Sequence, residues 1–228
     1  MEILNIRGLV LKKNDMGDSD IRVTLFSEEI GKISAMVYGI RKSKKRSIGA
    51  YNPLSLTEFT LRKKNEFYSV IESDLIRNFR NITGDIEKLE ISLYILDTVN
   101  KIYDINYERN DFFSRLIEIL EFIENIKNLE LGYKYYIVLS FLRRIMIEQG
   151  IYDIGVLKEE MGTDLITRYK EVSDISKKES TLPELKKKFS NYTGILKKIT
   201  MIFENYINVH LQVRLEIKKF IMEDLYNA

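Results

Sequence analysis

The sequence feature that most constrains the fold is a series of five short apolar runs within the first 80 residues, each ended by turn-forming residues. The runs cover residues 3–13, 21–27, 32–40, 51–64 and 66–74. Their apolar and β-branched residues are typical of short strands with one face on a core. Five strands leave two open edges, which carry an aggregation cost unless the sheet closes. The sequence therefore predicts a closed or nearly closed small β-barrel.

Beyond residue 80 the apolar residues recur with the period of helices. Helices are predicted to begin near Thr83 and at Asp111, to cover residues 131–149, and to return from about residue 194 to about residue 226. Gly150 suits the position just after a helix end. Residues 151–182 are polar and weakly periodic, and are predicted to be irregular. We thus expect a mixed β and α fold, with a barrel domain at residues 1–80 and an all-helical domain at residues 81–228.

Charge is distributed unevenly between these two parts. Residues 1–80 contain 15 Lys and Arg against 10 Asp and Glu, whereas the remainder contains 21 against 24. A basic segment of domain size suggests a polyanionic partner such as nucleic acid. Mixed surface charge on a helical bundle is the alternative interpretation.

A basic stretch between two predicted strands is the clearest candidate for binding chemistry. Five cations fall within six positions of the segment from Gly39 to Gly49, where a loop can place them along a phosphate backbone without reading bases. A solvated loop without function is the alternative. Aromatic residues nearby (Tyr38, Tyr51, Phe67 and Tyr68) could stack on bases, although each is more often a core residue. The candidate DNA-binding residues are Arg22, Tyr38, Arg41, Lys42, Lys44, Lys45, Arg46, Arg62, Lys63 and Lys64.

Little in the sequence favours catalysis. The chain has no cysteine and one histidine, His210, so that Cys-ligated zinc and His-rich metal sites are excluded. Asp15, Asp18 and Asp20 could bind Mg²⁺ in a metal-dependent nuclease, but turn formation around Gly17 explains them without a function and is the favoured interpretation. The segment around Lys32 lacks the residues of a phosphate-binding loop. We expect no enzyme activity and no cofactor. The start of the chain and the short apolar runs predict a cytoplasmic protein without a membrane span.

Several segments taken together resemble the RecO family. They are Gly8-Leu9-Val10-Leu11-Lys12-Lys13, Gly17-Asp18-Ser19-Asp20-Ile21-Arg22-Val23-Thr24-Leu25-Phe26-Ser27, Gly31-Lys32-Ile33-Ser34-Ala35 and Gly39-Ile40-Arg41-Lys42-Ser43-Lys44. The resemblance is continuous over about the first 80 residues, and it is weaker beyond them. Many members of that family carry a four-cysteine zinc module near the position of residues 151–182, which this chain cannot form because it has no cysteine.

The resemblance implies an OB-fold, binding of single- and double-stranded DNA, and annealing of complementary strands without ATP. It further implies cooperation with RecR and with the single-strand-binding protein in loading recombinase. The apolar helix predicted at residues 131–149 carries Arg143 and Arg144, which could contact the acidic tail of the single-strand-binding protein. A protein-only adaptor, whose basic loop is incidental, is a further alternative to the DNA-binding interpretation.

Overall fold

The computed structural model describes residues 2–42, 47–105, 110–177 and 189–221. The chain divides into two compact units, Met1–Ile126 and Lys127–Ala228. The boundary predicted at residue 80 falls at the end of the barrel strands, not at the division between the units. The helices that directly follow the barrel therefore share a compact unit with it.

Five strands form the closed barrel that the sequence predicts. They are β1 (Glu2–Met16), β2 (Asp20–Ser27), β3 (Gly31–Val37), β4 (Ser55–Lys64) and β5 (Phe67–Asn78). Their order around the barrel is β1-β2-β3-β5-β4, with β4 pairing back to β1. All neighbours are antiparallel except β3 and β5, which run parallel and pair only at Ala35 with Tyr68 and at Met36 with Ser69.

Alternation along each strand separates the barrel interior from its surface. On β2, Ile21, Val23 and Leu25 are buried, while Arg22 is exposed and Thr24 is half-buried. Equivalent inward residues from all five strands form one apolar core. A register shift in β1 between Val10 and Lys12 marks a bulge, which lets this long strand bend and pair with two neighbours.

Three helices complete the first unit: α1 (Arg80–Thr83), α2 (Ile86–Ile102) and α3 (Asn110–Asn125). The helix predicted to begin near Thr83 begins at Ile86, because Asp85 supplies its N-cap. The Asp85 carboxylate accepts hydrogen bonds from the backbone N–H groups of Glu87 and Lys88. Thr83 belongs instead to the short α1.

Aromatic packing and one buried cation attach these helices to the β2–β3 side of the barrel. The fully buried Phe26 ring lies 5.3 Å from that of Tyr103 and 6.0 Å from that of Phe112. The Lys32 ammonium group donates hydrogen bonds to the carbonyl oxygens of Asn100 and Tyr103, where α2 ends. Burial lowers the pKa of Lys32, and the Asp104 carboxylate opposes that effect. Lys32 thus has a structural role at the helix C-terminus.

The second unit contains α4 (Leu131–Glu148), α5 (Ile154–Lys177) and α6 (Thr193–Leu211). Gly150 follows α4 with φ of 70°, as predicted for the position after a helix end. The expectation of an irregular segment at residues 151–182 is wrong for the part that forms α5. Gly162, with φ of 71°, interrupts α5, so that its two short halves lack a long periodic pattern. Few apolar residues on α5 are buried, among them Leu157, Met161 and Val172, which explains the weak sequence signal.

Within the described ranges, no helix combines the length and the apolar character that a bilayer crossing requires.

Candidate nucleic-acid interface

Cross-strand register collects the predicted cations of the barrel into one outward row. Arg62 of β4 pairs with Ser69 of β5, Ser69 pairs with Met36 of β3, and Met36 pairs with Arg22 of β2. Directly paired residues project from the same face of a sheet. Arg22 and Arg62 are exposed, and the Met36 and Ser69 side chains between them are half-buried. Two arginines that are 40 positions apart in sequence are therefore separated by only two strands.

Two more exposed lysines lie on the outer side of the barrel strands. Lys64 pairs with Phe67 at the end of the β4–β5 hairpin, and Lys12 pairs with Thr24 on the opposite side of the sheet. Both lysines are exposed. We define the basic face as the outward surface formed by Lys12, Arg22, Met36, Arg62, Lys64 and Ser69. Its cations can contact phosphates without reading bases.

Lys63 is separated from this face, although it lies between two of its members in sequence. It pairs with the buried Tyr68, and its ammonium nitrogen lies 5.6 Å from the centre of the Tyr68 ring. Strand alternation therefore turns Lys63 away from Arg62 and Lys64. Its cation interacts with the aromatic ring at one end of the barrel.

The basic loop that the sequence singles out is fixed at both of its ends. The backbone N–H of Gly39 donates a hydrogen bond of 2.8 Å to the Asp20 carboxylate, and Ile40 is buried. At the other end Ala50 is buried, and the Thr57 hydroxyl donates to its carbonyl oxygen at 2.9 Å. Within the loop, Arg41 and Lys42 lie in a short 3₁₀ turn, where Lys42 is exposed. Lys44, Lys45 and Arg46 lie outside the described residues.

The structure divides the four candidate aromatic residues into two groups. Tyr51 is fully buried, and its hydroxyl is 2.7 Å from the Ser73 hydroxyl. Tyr68 is only 7% exposed. Tyr38 and Phe67, in contrast, are 58% and 78% exposed. Only Tyr38 and Phe67 could offer a ring face to a base.

The acidic residues of the β1–β2 turn do not form a metal site. Asp20 accepts hydrogen bonds from Gly39 and from the Ser19 hydroxyl, and Asp15 and Asp18 are exposed. In the part of the chain that the structure describes, no three His, Cys, Asp or Glu side chains are grouped so that they could hold a metal ion. Asp20 instead fixes the start of the basic loop.

An acidic surface, which the sequence reasoning missed, continues the outward face of β4 and β5. Glu58 pairs with Asp74, and Thr60 pairs with Glu72, so that these carboxylates project on the same side as Arg62. A cleft of about 360 Å³ lies among them and is also lined by Glu29 and by one cation, Arg7. We call Glu29, Glu58, Glu72 and Asp74 the acidic face. Alternation along β4 provides the missed signal, because Glu58, Arg62 and Lys64 share one parity.

In the second unit, the two predicted partner-binding arginines have different surroundings. Arg143 lines a cavity of about 320 Å³, together with Lys158, Lys170 and Asp174. Tyr152 and apolar and aromatic residues of α5 complete the lining. Its guanidinium carbon lies 5.5 Å from the centre of the Tyr152 ring. Arg144 instead forms an ion pair of 2.6 Å with Glu148.

Tyr169 contributes a neutral hydroxyl to this cavity. Burial raises its pKa, and a hydrogen bond with Tyr152 acts in the same direction. The cavity therefore combines three cations and one carboxylate, Asp174, with uncharged and apolar walls. Such a site is suited to a ligand that carries both carboxylates and apolar groups.

The closed five-stranded barrel and its basic outward face place the first domain in the OB-fold class, whose members commonly bind oligonucleotides. Residues 1–79 match the sequence model of a family described as "Recombination protein O N terminal". The N-terminal barrel of this chain is therefore similar to the N-terminal domain of RecO proteins.

Curated relatives show the same similarity. The chain is 29% identical over 127 residues to "DNA repair protein RecO" of Thermoanaerobacter sp., covering 56% of this chain and 51% of the relative. It is 34% identical over 119 residues to the protein of the same name in Acetivibrio thermocellus, covering 52% of this chain and 46% of the relative. The chain thus spans about half the length of the curated relatives it matches.

Replacing Arg22 and Arg62 together by Ala should weaken single-stranded DNA binding for all sequences alike. Because each lost phosphate contact lowers the salt dependence by about 0.7 on single strands, the slope of log affinity against log salt should become shallower by about 1.4. Fluorescence anisotropy over several salt concentrations measures this slope. Arg80→Ala with Lys101→Ala, which removes two exposed cations of α1 and α2, should leave it unchanged. An unaltered slope in the Arg22→Ala, Arg62→Ala variant would show that these two arginines of the basic face do not contact DNA phosphates.

Proposed function

We propose that this protein is a non-enzymatic mediator of DNA repair and recombination that binds single- and double-stranded DNA by its backbone. It anneals complementary strands and helps to load recombinase onto DNA coated by the single-strand-binding protein. RecR and the single-strand-binding protein are its proposed partners, and the cytoplasm is its proposed location. The observation that carries the proposal is the alignment of Arg22 and Arg62 on one outward row of the barrel, with Lys12 and Lys64 also exposed on its outer side. The repair function named in its relatives supports it.

Electrostatics explains how such a surface could promote annealing. Two DNA strands approach each other slowly because their phosphates repel. Cations bound along one strand offset part of that repulsion for the second. Contacts limited to the backbone leave the base edges free to pair. No step in this mechanism requires the hydrolysis of a nucleotide.

The same surface suggests how DNA would be oriented on the barrel. The outward face of β4 changes from acidic at Glu58 to basic at Arg62, over a distance of about 13 Å. Phosphates would be attracted to the basic face and repelled from the acidic face. We therefore expect the bound strand to cross β2, β3 and β5 near Met36 and Ser69, and to avoid the region of Glu58 and Glu72.

The two rival functions have less structural support. A metal-dependent nuclease would use Asp15, Asp18 and Asp20, but Asp20 is engaged by the backbone of Gly39 and by Ser19. In a protein-only adaptor, the alignment of Arg22 with Arg62 across four strands would have no function. Mg²⁺-dependent cleavage of labelled DNA would support the nuclease, and absence of DNA binding at low salt would support the adaptor.

The protein should accelerate annealing of complementary single strands in the presence of EDTA and without nucleotide triphosphate. Quenching between two labelled oligonucleotides reports the rate. The acceleration should be independent of sequence and should fade as salt screens the cations. The Arg22→Ala, Arg62→Ala variant should be slower than the Arg80→Ala, Lys101→Ala control. No acceleration at low salt, or a strict requirement for ATP, would refute the proposed mechanism.

We place the site for the single-strand-binding protein's acidic, apolar tail at the cavity beside Arg143. Three cations (Arg143, Lys158 and Lys170) line this cavity against one carboxylate, Asp174, and this excess of positive charge could bind the carboxylates of the tail. The apolar residues Ile154, Met161 and Ile166 could accept apolar side chains. Arg144 is a poorer candidate because Glu148 already neutralises it. The sequence-based expectation proposed both Arg143 and Arg144 as tail-binding residues, and we now propose Arg143 alone.

Arg143→Glu should therefore weaken binding of a fluorescent tail peptide by at least tenfold, because it replaces a charge-assisted contact by repulsion. Arg144→Glu, which lies one position away, should have a much smaller effect. Fluorescence polarisation compares the two variants, and thermal melting checks that both remain folded. Equal affinities for wild type and the Arg143→Glu variant would exclude this cavity as the tail site.

A further inference from the structure

Phe67 is the most exposed large apolar side chain among the described residues, and it lies beside the basic face. Its 78% exposure leaves most of the ring in solvent. It is the first residue of β5 and pairs with Lys64 across the end of the β4–β5 hairpin. Two residues connect these strands, and the first of them, Asn65, has φ of 54°, the left-handed conformation used in tight hairpin turns. The ring is thus held on a short, well-defined turn.

The position of Phe67 within the outward rows relates it to the two arginines. Ser69 follows it by two residues on the same side of β5, and Ser69 is paired with both Arg62 and Met36. Tyr38 follows Met36 by two residues and is 58% exposed. Tyr38 lies in the turn that follows β3, where strand alternation does not fix the direction of its ring. Phe67 is therefore the exposed ring that strand register relates to Arg62 and to the Met36–Ser69 pair.

We infer that Phe67 stacks on a base of bound single-stranded DNA, and that this contact makes the barrel favour single strands over duplex. The inference rests on the proposed function, to which it adds the group that distinguishes the two forms of DNA. Cations alone do not discriminate between them, because both carry phosphates. An aromatic ring does, because only an unpaired, unstacked base can offer its face to it.

The surroundings of Phe67 favour a base over another apolar partner. Lys64 lies directly opposite, and Arg62 is two residues further along β4. An apolar protein surface would have to desolvate these cations when it covered the ring, which is costly without carboxylates to pair them. A nucleotide instead supplies a phosphate for the cation and a base for the ring. Preorganisation on the short hairpin reduces the entropy lost when the base stacks.

The test combines a protein variant with a change in the DNA. Phe67→Ala should bind single-stranded DNA about 5- to 100-fold more weakly, the usual effect of removing one stacking ring, with duplex affinity changed less than about twofold. Phe67→Tyr, which keeps a ring, should restore most of the affinity. On an oligonucleotide with abasic sites throughout, wild type and Phe67→Ala should bind with equal affinity, because this DNA has no base on which Phe67 could stack.

Phe122→Ala is the matched control, because it removes an exposed phenylalanine from α3 in the same compact unit. It should change neither affinity. Unchanged single-strand affinity in the Phe67→Ala variant would overturn the inference. If that variant kept its DNA affinity but lost binding to a protein, Phe67 would be a protein contact instead. An equal loss on single strands, duplex and abasic DNA would also overturn the inference. Neither result would contradict the proposed function. The proposed function is contradicted only if the wild-type protein does not bind DNA or does not anneal it.

Discussion

The parallel contact between β3 and β5 is the interaction on which the candidate interface depends. It consists of two residue pairs, Ala35 with Tyr68 and Met36 with Ser69, whereas the neighbouring antiparallel ladders are much longer. Without it the β2–β3 hairpin and the β4–β5 hairpin would end in separate open edges. Closure removes those edges and places Arg22 and Arg62 on one row. The inward partners Ala35 and Tyr68 are both buried, so core packing and surface arrangement are fixed by the same pairs.

The net charge of the barrel segment does not show where on its surface a polyanion would bind. The first 80 residues have only five more cations than anions, a modest excess for a DNA-binding domain. The outward positions, however, are divided between a basic face and an acidic face. On the acidic face Glu58 lies directly opposite Asp74, an arrangement that costs stability because like charges face each other. Local charge, not the total, would therefore determine where a polyanion binds and where it is repelled.

The sequence predicts the local part of this arrangement and misses the part that depends on distant pairing. Short apolar runs ended by turn-forming residues predicted all five strands. Alternation along β4 also contains the information that Lys63 points away from Arg62 and Lys64. It could not show that Tyr38 and Phe67 are exposed whereas Tyr51 and Tyr68 are buried. That difference arises from packing between segments that are not adjacent in the chain, such as the hydrogen bond between the Tyr51 and Ser73 hydroxyl groups. The helix α5 was missed for another reason, since Gly162 divides it and its surface is mostly polar.

DNA binding at the basic face can be tested most directly by mapping amide chemical shifts of the isotope-labelled full chain during titration with a short oligothymidine. The largest changes should occur at Arg22, Met36, Arg62 and Phe67, which belong to four different strands but lie on one surface. Glu58 and Glu72 should change little, although they lie on the same two strands as Arg62 and Phe67. Changes concentrated at Glu58, Glu72 and Asp74, or confined to residues beyond 126, would contradict the assignment of DNA binding to the basic face.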